Sequence, residues 1–98
     1  MKSKLSAIHP GEFLGEILGD IGLSQTAFAR AVGVSAMRIS HVVSGARPIS
    51  ADLALRFGKA FGHAPEYWLN LQAAYDLATA RSALGSKRAG VRRLPQVA

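Results

Sequence analysis

Apolar residues recur along this chain at three- and four-residue steps, and β-branched residues rarely alternate with polar ones, so the pattern has the period of helices and not of strands. Glycine, proline and serine punctuate it into five segments, each with its own start and stop signals. Pro10 suits the first turn of a helix running to about residue 20, with Phe13, Ile17 and Leu18 on one side, Glu12 early enough to favour the helix dipole, and Gly22 at its end. Ser24 fits as N-cap of a second helix carrying Phe28 and Val32, which Gly33 stops within about nine residues. Ser35 caps a third, over about 35–44, that turns Ile39 and Val42 or Val43 inward and leaves Ala36, Met37, Arg38, Ser40 and His41 at its start and on its outer face. Gly45 closes that helix and residues 45–49 form a turn.

Ser50 then caps a fourth helix with Asp52 in its first turn, Leu53, Leu55, Phe57 and Phe61 as apolar surface, and Gly62 as its stop. Pro65 opens a fifth helix of about 17 residues, where Trp68, Leu71, Tyr75 and Ala78 fall at helical steps ahead of Gly85. The expected class is all-α, with one domain over 1–84 and a tail over 85–98 too poor in apolar residues to fold by itself.

The second and third segments pass the spacing test for a helix-turn-helix. With Gln25 as first position, Ala29 is fifth, Gly33 ninth, Ile39 fifteenth and Val42 eighteenth. Ala29 allows two helices to approach steeply, Gly33 can take the positive φ of the turn, and Ile39 and Val42 anchor the outer helix. A helix held in this way fits the major groove, where residues at its start and outer face meet base edges. Those residues here are Ala36, Met37, Arg38, Ser40 and His41. Arg38 has the fork that pairs with guanine, and Ala36 or Met37 could cover a thymine methyl. Gln25, Arg30, Ser35 and Arg47 are placed for phosphates, which position a protein without reading sequence. The same residues have plainer readings: Arg38 and Arg47 as solvated charges, Ser35 as a helix cap, Met37 as surface cover and His41 as a neutral exposed side chain.

Composition changes this picture in three ways. The 98 residues are 49% hydrophobic and 18% charged, enough for one core but with little room for an enclosed catalytic cavity besides. The chain has no cysteine, which removes disulfides, thiolate nucleophiles and thiolate metal sites. Twelve Lys and Arg against six Asp and Glu give a net charge of +6, which favours a polyanionic partner. The tail carries Lys87, Arg88, Arg92 and Arg93 without an acid. It reads first as a solvated segment, second as a DNA-backbone contact and third as a contact to a protein partner.

His9, His41 and His63 lie too far apart in sequence for a close-spaced metal site, and Glu12 and Glu16, one turn apart, read as a solvated face. No nucleophile elbow or Gly-rich phosphate loop is present, so the expectation is a non-enzyme with no cofactor and no metal. No apolar run approaches the roughly 20 residues of a membrane span, and no signal-like apolar stretch opens the chain, so a cytoplasmic protein without a membrane partner is expected.

Residues 25–35 (Gln-Thr-Ala-Phe-Ala-Arg-Ala-Val-Gly-Val-Ser), with Ile39, Ser40 and Gly45, resemble the Cro/cI-type helix-turn-helix of the XRE family. His9-Pro10-Gly11-Glu12, the run from Gly45 to Ser50, and the stretch from Glu66 to Leu77 are similar to the HigA antitoxins, a subfamily that includes VapI-like addiction-module antidotes. The resemblance covers about residues 8–80. It implies a five-helix, lambda-repressor-like bundle acting as a homodimer on double-stranded operator DNA. It also implies autorepression of a toxin–antitoxin operon and neutralisation of a HigB-like toxin, a ribosome-dependent mRNA endonuclease and the protein partner in the third reading of the tail. The fifth helix, with Trp68, Leu71 and Tyr75, is the expected dimer contact, with the first helix as a second candidate, and intrachain core is the competing reading of the same three residues. Two other functions fit the sequence: a free-standing Cro/cI-type repressor without a toxin, and an interaction module that has lost DNA binding.

Overall fold

The computed structural model describes residues 8–95, with the side chains at positions 86, 88 and 89 outside the description. Five helices follow one another: α1 (Pro10–Ile21), α2 (Gln25–Val32), α3 (Ala36–Val43), α4 (Ala51–Phe61) and α5 (Glu66–Leu84), with a short 3₁₀ segment over Gly85–Gly90. No strand occurs among the described residues, so the all-α expectation holds. The first seven residues of the expected domain and the last three of the tail lie outside the described residues, as does the side chain of Arg88.

Local chemistry sets most of the helix ends. Ser24, Ser35 and Ser50 each accept a hydrogen bond through Oγ from the backbone N–H three residues on, at 3.0, 3.1 and 3.2 Å. His9 starts α1 in another way, its Nδ1 accepting from the Gly11 N–H at 2.9 Å, which leaves Pro10 in the first position where no donor is needed. Gly33 ends α2 with φ 78°, a left-handed conformation that a β-carbon would strain.

The helices close on one core of Leu14, Leu18, Phe28, Ala29, Val32, Ile39, Val42, Ile49, Leu53, Ala54, Phe57 and Trp68. Phe57 stands edge-on to Trp68 with ring centroids 5.4 Å apart, and Phe28 lies 5.3 Å from Phe57, joining α2, α4 and α5. Several expected apolar positions shift. In α1 the buried pair is Leu14 and Leu18, with Phe13 and Ile17 half-buried beside them. Leu55 is 62% exposed on the outer side of α4. The tail is not wholly without local order, because the 3₁₀ segment follows directly on α5; its bonds are local and need no core. From Thr79 onward every side chain whose burial is described is exposed.

Candidate nucleic-acid interface

The helix-turn-helix rests on close approaches that the sequence permits only at particular residues. Ala29 is 2% exposed where α2 meets α3, and Ile39 and Val42 are fully buried beneath α3. Behind α3, a β-carbon on Gly11 would collide with the Val42 carbonyl, so α1 lies directly on the end of the outer helix. With its inner side fixed from α1 and α2, α3 can present only its other side. Met37 is 67% exposed there, Ala36 and Ser40 are exposed, and His41 is half-buried.

Gln25, the first residue of α2, is exposed, as are Arg30 near its end and Arg47 in the turn after α3. Ser35 is exposed with its Oγ accepting from the Arg38 N–H, which leaves its hydroxyl proton free to donate to a phosphate oxygen. The turn carrying Arg47 is held from three sides. Ala46 and Arg47 donate their N–H groups to the His41 carbonyl at 2.8 and 3.1 Å, the His9 ring lies against Gly45, and the Ile49 N–H donates to Gln72 Oε1 at 2.8 Å. Gln72 is 7% exposed, a polar side chain in the core whose amide nitrogen is in turn satisfied by Asp76 at 3.0 Å.

Arg38 is half-buried. Its Nη2 donates to Ser50 Oγ at 3.4 Å, and its Nη1 lies 3.8 Å from the Asp52 carboxylate. Asp52 also accepts from Arg56 Nε at 3.0 Å, and Arg56 Nη1 donates to the Val32 and Gly33 carbonyls at 2.8 and 3.3 Å. Arg38 therefore joins the start of α3 to the start of α4, and Arg56 joins α4 to the turn between α2 and α3.

Of the three residues expected at a dimer contact or in the core, one is wholly core and two are half-buried. Trp68 is fully buried within its own chain, with Nε1 donating to His63 Nε2 at 2.8 Å, so it is core and not a surface anchor. Leu71 is half-buried against the core, and Tyr75 is half-buried with its ring edge-on to His9 at 4.8 Å. The large apolar residues that α5 does expose are Tyr67, Leu77 and Leu84, at 45%, 53% and 40%.

Reading the sequence did not single out Gln72, Arg56 or the capping role of His9. Gln72 has a signal in hindsight, an amide one residue from Leu71 on the buried side of α5, and Asp52 and Arg56 have helical i,i+4 spacing. Among the described residues no group of three or more His, Asp or Glu could hold a metal ion, and no helix is long and apolar enough to cross a membrane.

Comparison with known proteins agrees with this geometry. The family model described as Helix-turn-helix matches residues 14–69. Virulence-associated protein I of Dichelobacter nodosus is 49% identical over 77 residues, covering 78% of this chain and 71% of that protein. An addiction module antidote of the HigA family from Coxiella burnetii superposes with a TM-score of 0.87 at 41% identity, over 91% of this chain and 98% of its own. The Pseudomonas aeruginosa antitoxin HigA, solved with the higBA promoter, gives a TM-score of 0.85 at 41% identity, again over 91% and 98% of the two chains.

Proposed function

Because the chain belongs to the helix-turn-helix family of DNA-binding regulators, and within it to the HigA-type antitoxins, we propose that it binds an operator upstream of its own gene and represses that operon as a homodimer. In the same reading it neutralises a HigB-like mRNA endonuclease encoded beside it. The observation that carries the DNA part is α3 itself: Ile39 and Val42 are fully buried, so Ala36, Met37, Arg38, Ser40 and His41 form a rigidly held face. The Pseudomonas aeruginosa relative, 41% identical, was solved with promoter DNA.

In this reading the start of α3 enters the major groove, with Arg38 on a guanine and Met37 or Ala36 on a thymine methyl. Gln25, Arg30, Ser35 and Arg47 hold phosphates. One copy offers a single short reading helix, so two copies on half-sites about 34 Å apart supply the specificity of an operator. With Trp68 in the core, the two-fold contact falls to the outer half of α5, where Leu77 and Leu84 are exposed.

The test is binding of the purified chain to its own upstream DNA and to a scrambled fragment, between about 50 and 200 mM salt. Preferential binding that persists at the higher salt, with two protected half-sites, is expected. Equal binding to both fragments that vanishes with salt would reduce the interaction to the +6 charge and end the operator reading. Arg38→Ala should cost about 1–3 kcal/mol at one base pair. Arg47→Ala should weaken all sequences alike and lower the salt slope by about 0.9.

A further inference from the structure

Asp52 is an acid beside a surface that would meet phosphates, in a chain with twice as many bases as acids. Its carboxylate lies 3.0 Å from Arg56 Nε and 3.8 Å from Arg38 Nη1, so one anion serves two guanidinium groups. The two are not equivalent. Arg56 is fastened at its far end to the Val32 and Gly33 carbonyls, and so holds the carboxylate from behind. Arg38 is held more loosely, by that carboxylate and by Ser50 Oγ at 3.4 Å, which also caps α4 by accepting from the Leu53 N–H. Among the described residues these contacts leave its Nε–H and a second hydrogen on each Nη without a partner, donors enough for the two acceptors of a guanine edge.

We propose that Asp52 is a specificity-determining positioning residue: it never touches DNA, but holds the Arg38 guanidinium in the direction from which it reads a base. The inference rests on Arg38 being a base reader. A long arginine side chain free in water loses rotamer freedom when it docks, and it pairs as readily with any nearby phosphate as with a guanine. A carboxylate beside the guanidinium removes both disadvantages, ordering the fork in advance and repelling a phosphate that competes for it. The relay from Gly33 through Arg56 and Asp52 to Arg38 thereby ties the direction of the reading side chain to the turn of the helix-turn-helix.

The experiment measures dissociation constants of the full chain for its own upstream duplex and for a scrambled duplex at fixed salt, in the unsubstituted protein, Asp52→Asn, Arg38→Ala and the double variant. The Asp52 side chain is 53% exposed, so Asp52→Asn should fold, and its thermal melt confirms this. Expected is a fall of about tenfold in the ratio of specific to scrambled affinity for Asp52→Asn, with scrambled affinity unchanged or higher because a negative charge beside the phosphates is gone. In the Arg38→Ala background the same substitution should leave the ratio unchanged, and Asp52→Glu should retain most of it. The proposal is overturned if Asp52→Asn shifts both affinities by one common factor, or if it changes the ratio equally with and without Arg38. If Arg38→Ala alone leaves the ratio intact, the base-reading role fails first, in a chain that still has Asp52, and the positioning role falls with it.

Discussion

Helices α3 and α5 solve opposite problems. The eight residues of α3 are divided sharply, Ile39 and Val42 fully buried and Met37 two-thirds exposed, and neighbours close its inner side from α1 and α2. The nineteen residues of α5 are divided along their length instead. Its first turns bury Trp68 and Gln72, while from Thr79 onward each side chain with a described burial is exposed. A helix as short as α3 is marginal in water and exists because the core holds it, so its outer face inherits the rigidity of that core. Among the described residues the far half of α5 has no such support. Helix formers such as Ala78, Ala80 and Ala83 sustain it, and its Leu77 and Leu84 are exposed. The chain thus carries one face that is fixed by folding and one that folding leaves unfinished.

The strongest way to break this comparison is at the root of α5. Trp68→Ala removes the ring that meets Phe57 and the donor to His63, and should cost about 3–5 kcal/mol in denaturant unfolding, a large share of the stability of a small domain. A cost under about 1 kcal/mol would show that α5 is dispensable to the core. Gln72→Leu is the next largest. It strands the Ile49 N–H in the interior, and should cost about 1–3 kcal/mol while loosening the turn that carries Arg47. Its sharper consequence is for DNA: phosphate affinity should fall for all sequences together, read as parallel shifts for specific and scrambled duplexes. Loss of stability without that shift would mean the turn is held by His41 and His9 alone.

The helix ends were legible because they are local: Ser24, Ser35 and Ser50 cap within three residues, and Gly33 turns the chain where the spacing demands it. The outward set on α3 was legible for the same reason, since Ile39 and Val42 pointing inward dictates what is left. What did not follow from sequence depends on partners far along the chain. Gly11 is required by the Val42 carbonyl, Gln72 by the Ile49 N–H, and Arg56 by the carbonyls of Val32 and Gly33. Apolar character groups Leu53, Leu55 and Phe57, but the helical period puts Leu53 and Phe57 on one side of α4 and Leu55, 62% exposed, on the other. On α5 the stripe through Trp68, Leu71 and Tyr75 was visible, but its division between core and surface depends on where α1 and α4 end.

The smallest expected effect sharpens the comparison most. Leu77 is 53% exposed, so within one chain Leu77→Ala should change unfolding free energy by no more than about 0.5 kcal/mol, far less than the effect at Trp68 on the same helix. If the outer half of α5 is where two copies meet, the substitution acts on association instead. Sedimentation should show a larger monomer fraction at equal concentration, and operator affinity should fall with it because both half-sites must be filled together. The single-chain melt at high dilution should not move. A variant that loses monomer stability as the core variants do would place Leu77 among the supports of the fold. One that changes neither quantity would remove the outer half of α5 from the two-fold contact and leave the exposed Tyr67, nearer the start of the helix, as the next apolar residue to test.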